Sequence, residues 1–280
     1  MQQHNDDSDN PSTAPNLLNL AALANSMTEL EMDDRLRNNS SSTTQTVRPP
    51  AAALKTCYSD EPSILEIGVD EVGRGPLLGR VYAGAAVLPK DKTRFNHALM
   101  KDSKRFSSAT KMLEAEAYIK THSIAWAVAY EDETVIDNIN ILQATQSAMH
   151  KAITLVKRKL TAAATIDSDD SILILVDGNY FKPYCCLNKQ KNKLVTIKHK
   201  TVKGGDNIYT SIAAASILAK AARDRYVTEL CNNHPELEER YNIHKNKGYG
   251  AKAHLDGIHK HGITPWHRKT FGVCKLYSAK

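Results

Sequence analysis

Apolar and polar residues change their spacing several times along the chain, and each change predicts an element. From Ile64, ILEIGVDE and then RVYAGAAVLP alternate as β-strands around a glycine and proline turn, GRGPLLG (Gly73 to Gly79), so a hairpin is expected to open the folded part. Ser108 to Lys120 follows a helical period, Ile124 to Glu131 (IAWAVAYE) that of a third strand, and Asn140 to Leu160 that of a long helix ending in basic residues. After the polar loop TIDSDDS, the short apolar run ILILVD (Ile172 to Asp177) predicts a buried strand, and LVTIKHK (Leu194 to Lys200) one further strand. Asp206 to Cys231 then reads as a long helix with a small-residue middle, SIAAASILAKAA, and two or three short helices are expected from His234 onward. Hairpin-linked strands followed by strands mixed with helices make an α/β fold with a central sheet the expected class.

The first 55 residues have no such pattern. They are rich in Asn, Ser, Thr, Asp, Gln and Pro, with a polar tract at Asn38 to Thr46, and are expected to form a disordered extension ahead of one folded domain. Leu17 to Leu30 predicts a single helix, transient in the absence of a partner.

Composition adds the character of the partner. The 280 residues are 41% apolar and 24% charged, enough for a sizeable core. Residues 1–55 hold seven acids and four bases, so against an overall charge of +6 the remainder carries +9. A basic folded part suits a protein that neutralises phosphates, and suits plain solubility about as well. Five cysteines without C-x-x-C spacing indicate neither a disulfide framework nor a zinc site, and favour a reducing compartment. The N-terminal segment lacks the features of a targeting peptide and no apolar run nears the length of a membrane span, so a cytoplasmic, non-membrane protein is expected.

Asp70 and Glu71 end a strand before a glycine turn, Asp177 ends another, and Asp224 lies late in a helix between Arg223 and Arg225. Singly, each has an ordinary explanation: a solvated strand end, an Asp-Gly turn, a partner for neighbouring arginines. Together, converging at one edge of the sheet, they would form an oxygen-only cage suited to Mg²⁺ or Mn²⁺. Neighbours on a regular strand face opposite ways, so Asp70 and Glu71 can share a site only if the strand twists locally at glycines 68, 73 and 75. Gly73, Arg74 and Gly75 leave the backbone bare for a sugar or phosphate. No dinucleotide fingerprint is formed, because Leu78 stands where its third glycine belongs, and no phosphate-binding G-x-x-x-x-G-K-S/T loop occurs. HKNKGYG (His244 to Gly250) and HRKTF (His267 to Phe271) interleave bases with aromatics, as nucleic-acid grooves do and as lysine-rich surfaces also do. The C-terminal histidines lack cysteine partners at zinc-finger spacing.

In order, GVDEVGRGPLLGRV, KDSKRFS, VDGN, KGGDNIYTSIAAASILAKAARDR and NKGYGAKAHLDGIHKHGITPWHRKTF resemble the signature blocks of the ribonuclease HII family, in its bacterial-type monomeric branch. The resemblance runs from about Ile64 to Lys275. It implies a ribonuclease H-like mixed sheet flanked by helices, residues 56–280 forming the catalytic domain and about 234–280 a helical part that holds substrate. It implies a metal-binding cluster of Asp70, Glu71, Asp177 and Asp224, and two-metal hydrolysis 5′ to ribonucleotides that leaves 3′-hydroxyl and 5′-phosphate ends. By the same resemblance Gly73, Arg74 and Gly75 contact the ribonucleotide 2′-hydroxyl and Tyr249 packs on the adjoining deoxyribose, so the substrate is an RNA–DNA hybrid or a duplex containing ribonucleotides. Lys104, Lys220, His267 and Arg268 take backbone-phosphate or supporting roles. Phe106, Ala251, Leu78 and Arg80 depart from the family pattern, and no sliding-clamp motif is evident. A non-catalytic hybrid-binding module and a DNA-acting enzyme of the same superfold are the rivals.

Overall fold

The computed structural model describes residues 53–103, 106–166, 168–188 and 192–277. By its internal contacts the chain divides into Met1–Pro50 and Ala51–Lys280, and every described residue lies in the second unit. The extension and the helix read at Leu17 to Leu30 therefore fall, up to residue 52, outside the described residues. Lys55 already belongs to the folded body: its N–H donates to the Ile208 carbonyl at 2.8 Å and its carbonyl accepts from Thr210 at 3.0 Å.

The sheet has five strands in the order β3-β2-β1-β4-β7. β1 (Leu65–Val72) and β2 (Val81–Val87) form the expected hairpin, and β3 (Ala125–Glu131) pairs antiparallel with β2. β4 (Ile172–Asp177) runs parallel to β1, and β7 (Lys198–Val202) parallel to β4, so the sheet is mixed as expected. The strand expected over Leu194 to Lys200 is in fact two: β6 (Lys193–Thr196) pairs with β5 (Cys185–Asn188) in a separate ribbon, and the chain changes sheets at Ile197.

Helix α1 (Ala109–His122) begins at Ser108, whose hydroxyl accepts from the Lys111 N–H. Helix α2 (Glu133–Ala162) starts earlier than its sequence period suggests. Asn140 interrupts it with φ 66° and restarts it, its Oδ1 accepting from the Gln143 N–H at 3.1 Å. Apolar residues of α2, among them Met149, Ile153 and Val156, pack on the sheet face carrying Ile67, Val69, Ile174 and Val176. On the other face lie α1 and α3 (Thr210–Asn233), through Ala213, Ala214, Ile217 and Leu218.

Two glycines set how closely α3 approaches. A Cβ at Gly68 would stand 2.2 Å from the Ser211 carbonyl carbon, and one at Gly84 2.1 Å from the Ala215 oxygen. With hydrogens there instead, the helix lies directly against β1 and β2. Beyond it, α4 (Glu236–Tyr241), α5 (Ile243–Asn246) and α6 (Lys252–His261) build a smaller core in which Leu237, Tyr241, Ile243 and Ile258 meet Val227 and Leu230 of α3 and Leu78 of the glycine turn.

Candidate active site

Strand pairing sets the first two carboxylates side by side. Val69 pairs with Val176 in parallel β1 and β4, so the next residues, Asp70 and Asp177, stand at one level on adjacent strands. Both point to the α3 face, because Val69 and Val176 belong to the core on the α2 side. Asp70 is 5% exposed; its Oδ1 accepts from the Glu71 N–H at 2.7 Å and its carboxylate is hydrogen-bonded to Ser216 of α3. Asp177 accepts from the Gly205 N–H at 2.6 Å. Burial, then the negative charges of Glu71 and Asp177, push the Asp70 carboxyl well above the usual carboxylate range. Such a group favours a nearby cation.

Glu71 is placed differently. β1 continues through it to Val72, with Glu71 opposite Ala83, so no twist at the glycines turns it to Asp70's face. It sits near the sheet end, held by Arg74 at 3.2 Å, and burial pushes its carboxyl up despite that arginine. Asp224 extends a row on α3, Ser216, Lys220, Asp224, spaced at one helical turn. One of its oxygens is ion-paired to Lys220, while Oδ1 is buried without a hydrogen-bond partner. As placed, no three His, Cys, Asp or Glu side chains among the described residues are grouped closely enough to hold one metal ion.

Beside the acids, three distant segments are woven together. Leu77 N–H donates to the Gly248 carbonyl, Gly79 N–H to the Trp266 carbonyl and Arg268 N–H to the Leu77 carbonyl, each at 2.8 Å. Gly73 has φ 90° and Gly248 φ 80°, backbone that only glycine adopts readily, and a Cβ at either would strike Arg223 Nε or the Leu78 carbonyl. The weave brings Gly75 against Tyr249: a Cβ on Gly75 would stand 3.5 Å from the tyrosine ring, which is 46% exposed. Arg74 is exposed as well.

His267 and Arg268 are both 0% exposed. Of the two roles read for them, phosphate contact is excluded by that burial and support is what they supply. Arg268 donates to the carbonyls of Gly79 (2.8 Å), Arg74 (2.9 Å) and Gly73 (2.6 Å), and so holds the GRG turn. Thr264 N–H donates to His267 Nδ1 at 2.9 Å, which assigns the ring proton to Nε2, 3.0 Å from His254 Nε2; His254 Nδ1–H then donates to the Tyr249 carbonyl at 2.9 Å. Burial, with His254 adjacent, lowers His267 to about 3. Lys104 lies outside the described residues.

Residues 67–274 match the family described as Ribonuclease HII. The chain belongs to that family. A Parabacteroides distasonis ribonuclease HII is 42% identical over 211 residues, covering 75% of this chain and 92% of that one. Its Rickettsia akari counterpart is 40% identical over 207 residues, covering 74% and 91%. Among solved structures, ribonuclease H2 from Pyrococcus horikoshii superposes with a TM-score of 0.57 at 22% identity, over 77% of this chain and 98% of that one, and so shares the fold. So does the ribonuclease HII of the Archaeoglobus fulgidus PCNA complex, with a TM-score of 0.52 at 16% identity over 75% and 96%. The chain is thus a ribonuclease H, a metal-dependent hydrolase acting endonucleolytically on the RNA of RNA–DNA hybrids. No helix among the described residues is long and apolar enough to cross a membrane, and all five cysteines are free.

The residues that sequence reasoning missed in this ribonuclease HII are mostly supports. Ser216 reaches Asp70 and also Ser103 of the DSK block, at 3.1 Å, yet within SIAAAS it reads only as a small packing residue. Arg223 reads as a mere flank of Asp224, although it is 2% exposed and lies under the GRG turn.

Proposed function

We propose that this ribonuclease HII hydrolyses the RNA strand of hybrids and cuts 5′ to ribonucleotides embedded in duplex DNA, using two Mg²⁺ or Mn²⁺ ions and leaving 3′-hydroxyl and 5′-phosphate ends. The observation that carries this is the approach of Gly75 to the exposed Tyr249 ring beside the carboxylates. There a bare backbone meets a ribose, distinguished by its 2′-hydroxyl, while the ring packs on the following deoxyribose. Gly73, Arg74 and Gly75 supply the backbone face, and Arg268 fixes the carbonyls of the first two.

Asp70, Glu71, Asp177 and Asp224 would hold the ions. The donor set fits: all are carboxylates, as hard divalent cations prefer, and the buried Oδ1 of Asp224 lacks a partner. When bound, the ions supply Lewis acidity at the scissile phosphate. The chain's part is placement. Glu71 N–H and Ser216 fix the Asp70 rotamer, Gly205 N–H fixes Asp177, and Lys220 neutralises Asp224 until it is engaged. We further read the enzyme as a cytoplasmic monomer without a sliding-clamp motif, with the catalytic domain beginning at Lys55 rather than at residue 56, about 234–280 holding substrate and the residues before it an extension.

Matched DNA, RNA–DNA and single-ribonucleotide duplexes incubated with Mg²⁺ test the reading. Cleavage of the latter two 5′ to ribonucleotides, with DNA intact, is expected. Binding without product would make the chain a hybrid-binding module, and cleavage of all three a general nuclease.

A further inference from the structure

Arg223 precedes Asp224 on α3, so the two side chains leave the helix about 100° apart. Asp224 continues the row that starts at Ser216 beside Asp70. Arg223 turns instead toward the glycine turn and is 2% exposed. Its Nη2 donates to the Lys247 carbonyl at 2.7 Å, its guanidinium lies 5.6 Å from the centre of the Tyr249 ring, and its Nε is 2.5 Å from where a Cβ on Gly73 would stand. Nε is buried and unpartnered. Burying a guanidinium with so few hydrogen bonds is costly, and an apolar side chain would fill the same space more cheaply. A flat cation, however, can lie under Gly73, anchor the segment before Gly248 and stack toward Tyr249 at once.

We propose that Arg223 is the positioning residue that sets Tyr249 against Gly75, and that it couples recognition of the RNA-to-DNA junction to the carboxylate site through its neighbour Asp224 on α3. The inference rests on the junction-reading role proposed for Gly75 and Tyr249. It is separate from the hold that Arg268 exerts, which reaches the carbonyls of the GRG turn and none of Tyr249's own segment.

The test compares kcat/KM on a single-ribonucleotide duplex with kcat/KM on a long RNA–DNA hybrid, for the wild type, Arg223→Gln, Tyr249→Ala and the double variant. Arg223→Gln is expected to lower the ratio by about tenfold or more, since small displacements of a positioning group have effects of that size. The double variant is expected to fall no further than Tyr249→Ala alone, because both changes remove one surface. A ratio kept at the wild-type value in Arg223→Gln, with both activities reduced in proportion, overturns the inference and makes Arg223 a packing residue. A wild-type ratio in Tyr249→Ala counts instead against the junction-reading role itself, whatever the Arg223 variants do. If Arg223→Gln does not fold, Arg223→Lys decides in the same way: it keeps the charge but cannot span Gly73 and Lys247 together.

Discussion

Arg268 Nη2 donates to the Gly73 carbonyl at 2.6 Å across 195 residues of sequence. With its bonds to Arg74 and Gly79, this one guanidinium satisfies carbonyls along the whole glycine turn. Arg268→Ala leaves those of Gly73 and Gly79 buried and unpaired, so a loss of about 3 kcal/mol or more is expected in urea unfolding. Arg268→Lys, with no fork, is expected to recover only part of it. A variant with the wild-type midpoint would show that the turn holds itself.

Asp70→Asn is expected to abolish turnover on a single-ribonucleotide duplex while leaving hybrid binding largely intact. It should also stabilise the metal-free protein. The Asp70 carboxyl is raised in the folded state by burial and by Glu71 and Asp177, so the fold binds its proton more tightly than the unfolded chain does. That contribution is full in acid and is lost as pH climbs from the ordinary carboxylate range through the raised folded value. Unfolding with divalent ions chelated should find the variant more stable than wild type at neutral pH, the gap closing toward about pH 4. Equal stability at neutral pH would mean that Asp70 meets no net penalty for its charge.

The pair His254 and His267 gives the opposite sign. His267 is lowered to about 3, so between the usual histidine range and that value the unfolded chain takes up a proton that the fold refuses. Stability is complete above about pH 6.5 and falls as pH drops below it. His267→Asn, which cannot titrate there, is expected to lose less stability than wild type between about pH 6.5 and pH 5. Parallel losses in the two proteins would place the acid sensitivity elsewhere.

Where the folded body begins is also testable. Removal of residues 1–50 is expected to leave nuclease activity and thermal midpoint unchanged. Removal of 1–55 deletes the Lys55 backbone bonds to Ile208 and Thr210, ahead of α3, and is expected to cost about 1 to 3 kcal/mol. If the shorter deletion already destroys activity, the first fifty residues do more than extend the chain.

The elements that could be read from sequence were those whose period matches one environment throughout. β1, β2 and β4 are apolar runs covered on both faces, and Asp70 lies two residues before the end of β1 while Asp177 ends β4. Alternation at Leu194 to Lys200 continues unbroken while the backbone leaves one sheet for another, since side-chain spacing records faces and not partners. The same spacing puts Glu71 on the opposite side of the pleat from Asp70, yet at the strand end its charge still reaches both Asp70 and Asp177. HRKTF reads as a basic surface because a buried arginine among carbonyls looks identical, in sequence, to an exposed one. Its acceptors lie nearly two hundred positions earlier.

That distance has a consequence for biosynthesis. The glycine turn leaves the ribosome early, but its latch is among the last residues translated, so a nascent chain already holding Asp70, Asp177 and Asp224 still lacks the guanidinium that satisfies the carbonyls of Gly73, Arg74 and Gly79. A product truncated before Arg268 is therefore expected to leave the Gly73 carbonyl without the guanidinium that holds it.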